Sequence, residues 1–118
     1  MLLVETLSQV PYWDGTPEER NKRGKDLARA IVPSVDVERW KREGHTVMRG
    51  CYVQDGNALL EVQITGPKGL RKIFLTRTEN GLVGKVGAED LNGSTPATAA
   101  DLIQLIDRLL AGNNKAAV

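Results

Sequence analysis

The chain has a single cysteine and a single histidine among its 118 residues. A disulfide framework needs pairs, and a Cys/His zinc site needs about four ligands, so one chain builds neither. Aromatic residues are scarce, with two Trp, two Tyr and one Phe, so the core must be mostly aliphatic and modest in size. Neither sign of charge dominates. Sixteen Lys and Arg face fifteen Asp and Glu, a formal net charge of +1, which excludes a uniformly basic nucleic-acid coat and an acidic tail protein but not a local patch. No apolar run approaches the roughly twenty residues of a membrane-spanning helix.

What is present suffices for one domain. Hydrophobic residues make up 41% and charged residues 26%, a globular balance rather than a disordered one. The reading is a single α+β domain over residues 1–112, followed by a tail, 113–118, that has no packing residues and is expected to fray. The opening stretch Met1–Val10 lacks a positive n-region and carries Glu5, so it reads poorly as a signal peptide. With a lone thiol, Cys51, the chain fits a reducing compartment, and a cytoplasmic location is expected.

Three kinds of segment organise the chain. Thr16-Pro17-Glu18-Glu19 is a capping box with Pro at the first helical position, and it predicts a helix from about Pro17 to Val32 that Pro33 stops. Its apolar stripe is thin: Leu27, Ala28 and Ile31, with Gly24 a turn earlier. A second helix is predicted from about Val35 to Glu43, with Val37 and Trp40 on one face and Gly44 as its left-handed cap. From His45 to Val86 the period becomes two. Asp55-Gly56 and Asn80-Gly81 read as two-residue hairpin turns, and Gly66-Pro67-Lys68-Gly69 as a tight turn between them.

These turns predict four strands, at about 45–54, 57–65, 70–78 and 82–87, in an antiparallel meander. Pairing Gln54 with Asn57 sets Val53, Cys51, Arg49 and Val47 beside Ala58, Leu60, Val62 and Ile64. Ile73 then falls beside Val62, Leu75 beside Leu60, and Val86 beside Leu75, giving one apolar face. A terminal amphipathic helix is predicted to start at Thr95-Pro96 and end at Gly112. Leu102, Ile103, Leu105, Ile106, Leu109 and Leu110 cover an arc of roughly 160° on it. The expected architecture is N-terminal helices, a four-stranded antiparallel meander, and this C-terminal helix packed on one sheet face, with the first helix too thinly apolar to be the main cover.

Catalytic patterns are missing. His45 and Cys51 fall on one predicted strand, which sets their Cα atoms roughly 20 Å apart, too far for a thiol dyad. The carboxylates form no acid/base pair by spacing, Gly66–Gly69 is too short for a phosphate loop, and no G-x-S-x-G elbow occurs. The chain is therefore expected to be no enzyme and to need no cofactor or metal. The first functional expectation is a small protein-interaction module, an adaptor, inhibitor or chaperone-like protein, with Tyr12, Trp13, Trp40 and Leu105 as partner anchors, since Trp and Tyr dominate interface hot spots. The second is a nucleic-acid-binding module. Between Glu18 and Arg49 nine Lys and Arg face six Asp and Glu, with Arg20, Lys22, Arg23 and Lys25 forming the densest run. Tyr52 and Phe74, interleaved with Lys72 and Lys85 on the wet sheet face, could stack bases. The wide apolar arc of the last helix and the open edge of the fourth strand also raise the expectation of a homodimer.

Overall fold

The computed structural model describes residues 1–112 and has four α-helices and a five-stranded antiparallel sheet. The expected tail, 113–118, lies outside the described residues. In chain order the elements are α1 (Leu3–Leu7), α2 (Pro17–Ile31), α3 (Ser34–Arg42), β1 (Thr46–Gln54), β2 (Asn57–Gly66), β3 (Gly69–Thr78), β4 (Gly81–Val86), β5 (Glu89–Asp90) and α4 (Ala99–Leu110). The sheet order follows the chain, β1-β2-β3-β4-β5, as a meander requires.

The helix starts follow from capping chemistry. Thr16 Oγ1 accepts from the Glu19 N–H at 3.1 Å, and Glu19 Oε1 accepts from the Thr16 N–H at 3.1 Å, closing the box at the head of α2. At α4 the box is Thr98 and Asp101. The expected start at Thr95-Pro96 is thus corrected: Thr95 belongs to the preceding turn, where its hydroxyl donates to the Asn92 carbonyl at 2.7 Å. The N-terminal stretch, which carried no helix signal, forms α1 and buries Leu3, Leu7 and Val10.

The first two hairpins keep the expected register. Gln54 pairs with Asn57, Cys51 with Leu60 and Arg49 with Val62, across a turn in which both Asp55 (φ 53°) and Gly56 (φ 81°) are left-handed. Ile73 pairs with Val62 and Leu75 with Leu60. The third hairpin is displaced by two residues. Thr78 pairs with Gly81, so Val86 meets Ile73 and Gly84 meets Leu75. The turn residues are Glu79 and Asn80, because Thr78 Oγ1 accepts from the Asn80 N–H at 3.2 Å and Gly81 spends its positive φ (130°) at the head of β4. A shift of two preserves the face of every side chain, so the apolar surface survives. Gly84 also suits its new place, since a Cβ there would lie 2.9 Å from Thr95 Cγ2 and 3.1 Å from both Leu75 and Leu91.

The fifth strand was not expected. Val86 pairs with Glu89 and Lys85 with Asp90, and the Leu91 N–H donates to the Gly84 carbonyl at 2.9 Å. The edge of β4 expected to be open is therefore mostly occupied by its own chain. The opposite edge is occupied differently. In a two-residue hairpin the residues flanking the turn are a hydrogen-bonded pair, and such pairs alternate along the ladder. Val47, Arg49, Cys51 and Val53 thus turn their backbone groups away from β2. Against that edge lies α2, with Gly24 so close that a Cβ would overlap the Cys51 carbonyl oxygen. This makes α2, despite its thin stripe, the helix in most extensive contact with the strands.

One hydrophobic cluster joins the layers: Leu3 and Leu7, Ala28 and Ile31, Trp40, the inward residues of β1 to β3, and Leu102, Leu105, Ile106 and Leu109 of α4. Polar groups on this side are bonded. Arg49 Nε donates to the Val32 carbonyl (2.9 Å), and Arg77 Nε to the Val4 carbonyl (2.8 Å). Helices α3 and α4 are clasped at Asp107, whose Oδ1 accepts from Trp40 Nε1 (2.7 Å) and Arg39 Nη1 (2.9 Å), while Arg39 Nη2 donates to Asp36 (2.9 Å).

Three outcomes check this packing. Gly24→Ala gains about 1 kcal/mol of helix propensity but overlaps backbone, so a net loss of about 2 kcal/mol is expected in urea unfolding, whereas Gly50→Ala, with open space around the new methyl, changes little. Burial pushes the Cys51 thiol up to about 11. A thiol reagent at pH 8 should accordingly label the native protein on the order of a hundredfold more slowly than the unfolded chain. Asp107→Ala leaves the buried Trp40 indole N–H without an acceptor and should cost about 1–3 kcal/mol. Burial tends to raise the Asp107 pKa, but the hydrogen bonds from Arg39 and Trp40 outweigh it and hold it low. Its stabilising contribution is thus present above the ordinary carboxylate pKa and lost as pH falls through the lowered folded value, and Asp107→Ala should flatten the acid limb of the stability curve.

Candidate functional site

The sheet has one face in the core and one whose side chains are mostly exposed or half-buried. On the outer face the pleat presents Met48 and Tyr52 from β1, Leu59, Glu61 and Gln63 from β2, Lys72, Phe74 and Thr76 from β3, and Val83 and Lys85 from β4. Met48 is 61% exposed, Leu70 54% and Val83 46%, while Leu59 is covered by its neighbours. Shallow depressions run across this face. Its charges are internally matched. Tyr52 Oη donates to Glu61 Oε1 at 2.7 Å, Lys72 Nζ lies 3.9 Å from Glu61 Oε2, and Lys85 Nζ lies 3.7 Å from Asp90. The hydrogen bond to Glu61, with some burial, pushes the Tyr52 phenol up to about 12, so it stays a neutral donor at any physiological pH.

The four aromatic and apolar anchors expected from sequence separate into two pairs. Tyr12 is 77% exposed, and Trp13 is half-buried with its ring under the Arg23 guanidinium, 4.5 Å from the centroid. Trp40 (0% exposed) and Leu105 (4%) are core residues, which corrects their expected role as surface anchors. Trp40 fills the angle between α3 and the core and uses its only polar atom on Asp107. Leu105 lies within the buried stripe of α4, where none of the six apolar residues is left exposed. Both features behind the homodimer expectation are therefore used within the chain.

The basic run is also engaged. The Arg20 guanidinium donates to the Gly15 carbonyl, Lys22 pairs with Asp26 at 3.1 Å, and Arg23 lies on Trp13; Lys25 projects into solvent. Phe74 sits in the middle of the outer face, between Glu61 and Lys85 across its two ladders. Tyr52 and Phe74 therefore share a face, but Glu61 lies between them and next to Lys72.

A fourth depression connects the two parts. It lies where the head of α2 meets β1, and Trp13, Pro17, Arg20, Tyr52 and Val53 line it, with Cys51 at its base. Tyr52 lines both this depression and the one beside Met48 on the outer face. The result is a continuous surface from Trp13 over Val53 and Tyr52 to Met48, with both aromatic rings fixed, one by a cation above it and one by a carboxylate at its hydroxyl. Sequence reasoning missed the Tyr52–Glu61 bond and the exposure of Val53. The derived register already held the first signal, since it makes 52 and 61 diagonal neighbours on one face.

The Cys51 thiol, raised by burial, has the reverse of a nucleophile's environment. Among the described residues no three His, Cys, Asp or Glu side chains come together as metal ligands. The surface sets two held aromatic rings beside exposed aliphatic groups and paired charges. In comparisons with protein-family models, curated protein sequences and solved structures, the chain matches none.

Proposed function

We propose that the chain is a small non-enzymatic protein-interaction module, of the adaptor, inhibitor or chaperone-like kind, acting in the cytoplasm. Its contact surface is the tract from Tyr12 and Trp13 over Val53 and Tyr52 to Met48. In this reading α4 is the layer over the apolar sheet face, which leaves the opposite face for the partner. The observation that carries it is that Trp13 and Tyr52 line one depression while each ring is already held in place, by Arg23 and by Glu61. Preorganised aromatic groups lose little side-chain entropy on binding, which is why such residues concentrate interface energy. The nucleic-acid alternative draws less support. A phosphate backbone on the outer face would meet Glu61 and Asp90, and three of the four basic residues of the Arg20–Lys25 run are engaged.

Affinity purification from the native host tests the proposal by comparing baits. A protein that the wild-type chain retains should be lost by at least tenfold on Trp13→Ala and on Met48→Glu, and kept by Lys25→Glu. Retention by all three variants would reject this surface. Salt-sensitive binding of random-sequence DNA or RNA that Arg20→Ala, Lys22→Ala and Arg23→Ala together abolish would favour the nucleic-acid reading instead.

A further inference from the structure

At the far end of the molecule from Trp13, a cavity of about 100 Å³ opens between the β2–β3 turn and the C-terminal end of α4. Ile64, Leu109 and Leu110 form an apolar floor, and His45, Lys68 and Arg71 surround it. Among the described residues no Asp or Glu lines the cavity. None of the three basic side chains enters an ion pair or a side-chain hydrogen bond among the described residues, where the other ion pairs of the fold are made. The His45 ring is pressed over Gly66, where a Cβ would lie 2.6 Å from Nδ1, so a residue without a side chain lets the imidazole stand at the rim.

A structural reason for cations here exists, because the end of a helix carries about half a negative charge. Among the described residues that half charge offsets only part of the two full charges of Lys68 and Arg71. An apolar floor under an unbalanced cationic rim matches an amphiphilic anion. The volume is about that of three water molecules, so the floor takes a tail of about three or four carbon atoms while the charge stays at the rim.

We propose that this cavity binds a short-chain carboxylate, with its oxygens between Lys68 and Arg71, an N–H of His45 as a further donor, and its hydrocarbon tail on Ile64, Leu109 and Leu110. The site is independent of the partner surface proposed above.

Titration of the full chain with pentanoate, followed by amide and imidazole NMR shifts, tests the site. Saturable shifts at His45, Gly66 and Leu110 are expected, at least tenfold weaker with acetate, which lacks the tail, and with 1-pentanol, which lacks the charge. Lys68 is exposed in the turn and Arg71, half-buried on β3, is not a core residue, so Lys68→Ala with Arg71→Ala should fold and bind pentanoate at least tenfold more weakly. No saturable shift with pentanoate overturns the proposal. So does an equal response to acetate, which would mean surface ion pairing only, or an unchanged affinity in the double variant.

Discussion

Helix α2 lies so near strand β1 that only a residue without a side chain fits between them. Gly24 sits against the Cys51 carbonyl, on the edge where β1 would otherwise offer its backbone to another strand. Much of the layout depends on this contact. It lets a helix with a thin apolar stripe act as a wall, because the backbone itself makes the approach. It also covers the edge of β1 at Cys51, while β5 and the Leu91 amide pair with β4 at the other side of the sheet. With one face of the sheet in the core, the outer face and the seam at the head of α2 stay accessible, as does the cavity at the end of α4.

The second constraint is the clasp at Asp107. One carboxylate oxygen takes both the indole N–H of Trp40 and the guanidinium of Arg39, and Arg39 reaches back to Asp36 on its own helix. Hydrogen bonds to Asp107 and then Asp36 raise the arginine further above its already high value. The largest side chain of the core is thereby oriented by a polar group at its margin, which fixes the angle between α3 and α4 more narrowly than aliphatic contacts would.

Local chemistry was legible in the sequence, and long-range chemistry less so. The capping box at Thr16, the stop at Pro33 and the turns at Asp55-Gly56 and Pro67-Lys68 each depend on residues within four positions of one another, and each forms where expected. The third turn misled because Asn80-Gly81 carries a strong turn signal of its own, whereas the Thr78 hydroxyl selects the neighbouring pair. Thr95-Pro96 imitates a helix start, and only the reciprocal bonds of Thr98 and Asp101 reveal the true one. Trp40 and Leu105 looked like anchors because a tryptophan on a short helix and the margin of a wide stripe are alike, in one dimension, whether they face a core or a partner. The surface that does gather aromatic groups unites residues 13 and 52 across a helix–strand seam, and no spacing rule encodes that junction.

The first residues of the chain are tied to some of its last. Leu2 bridges Thr98, the Leu3 N–H donates to the Ala97 carbonyl at 3.0 Å, and the Ala99 N–H donates to the Met1 carbonyl at 3.2 Å. During synthesis the hairpins between residues 46 and 86 can pair as soon as each emerges, since they are local. The segment that holds Leu3 and Leu7 must instead wait, with both uncovered, until the ribosome has delivered the head of α4. Completion of the fold thus waits for residues 97–99 to be made, and a nascent chain halted before Thr98 exposes apolar groups that the folded domain hides.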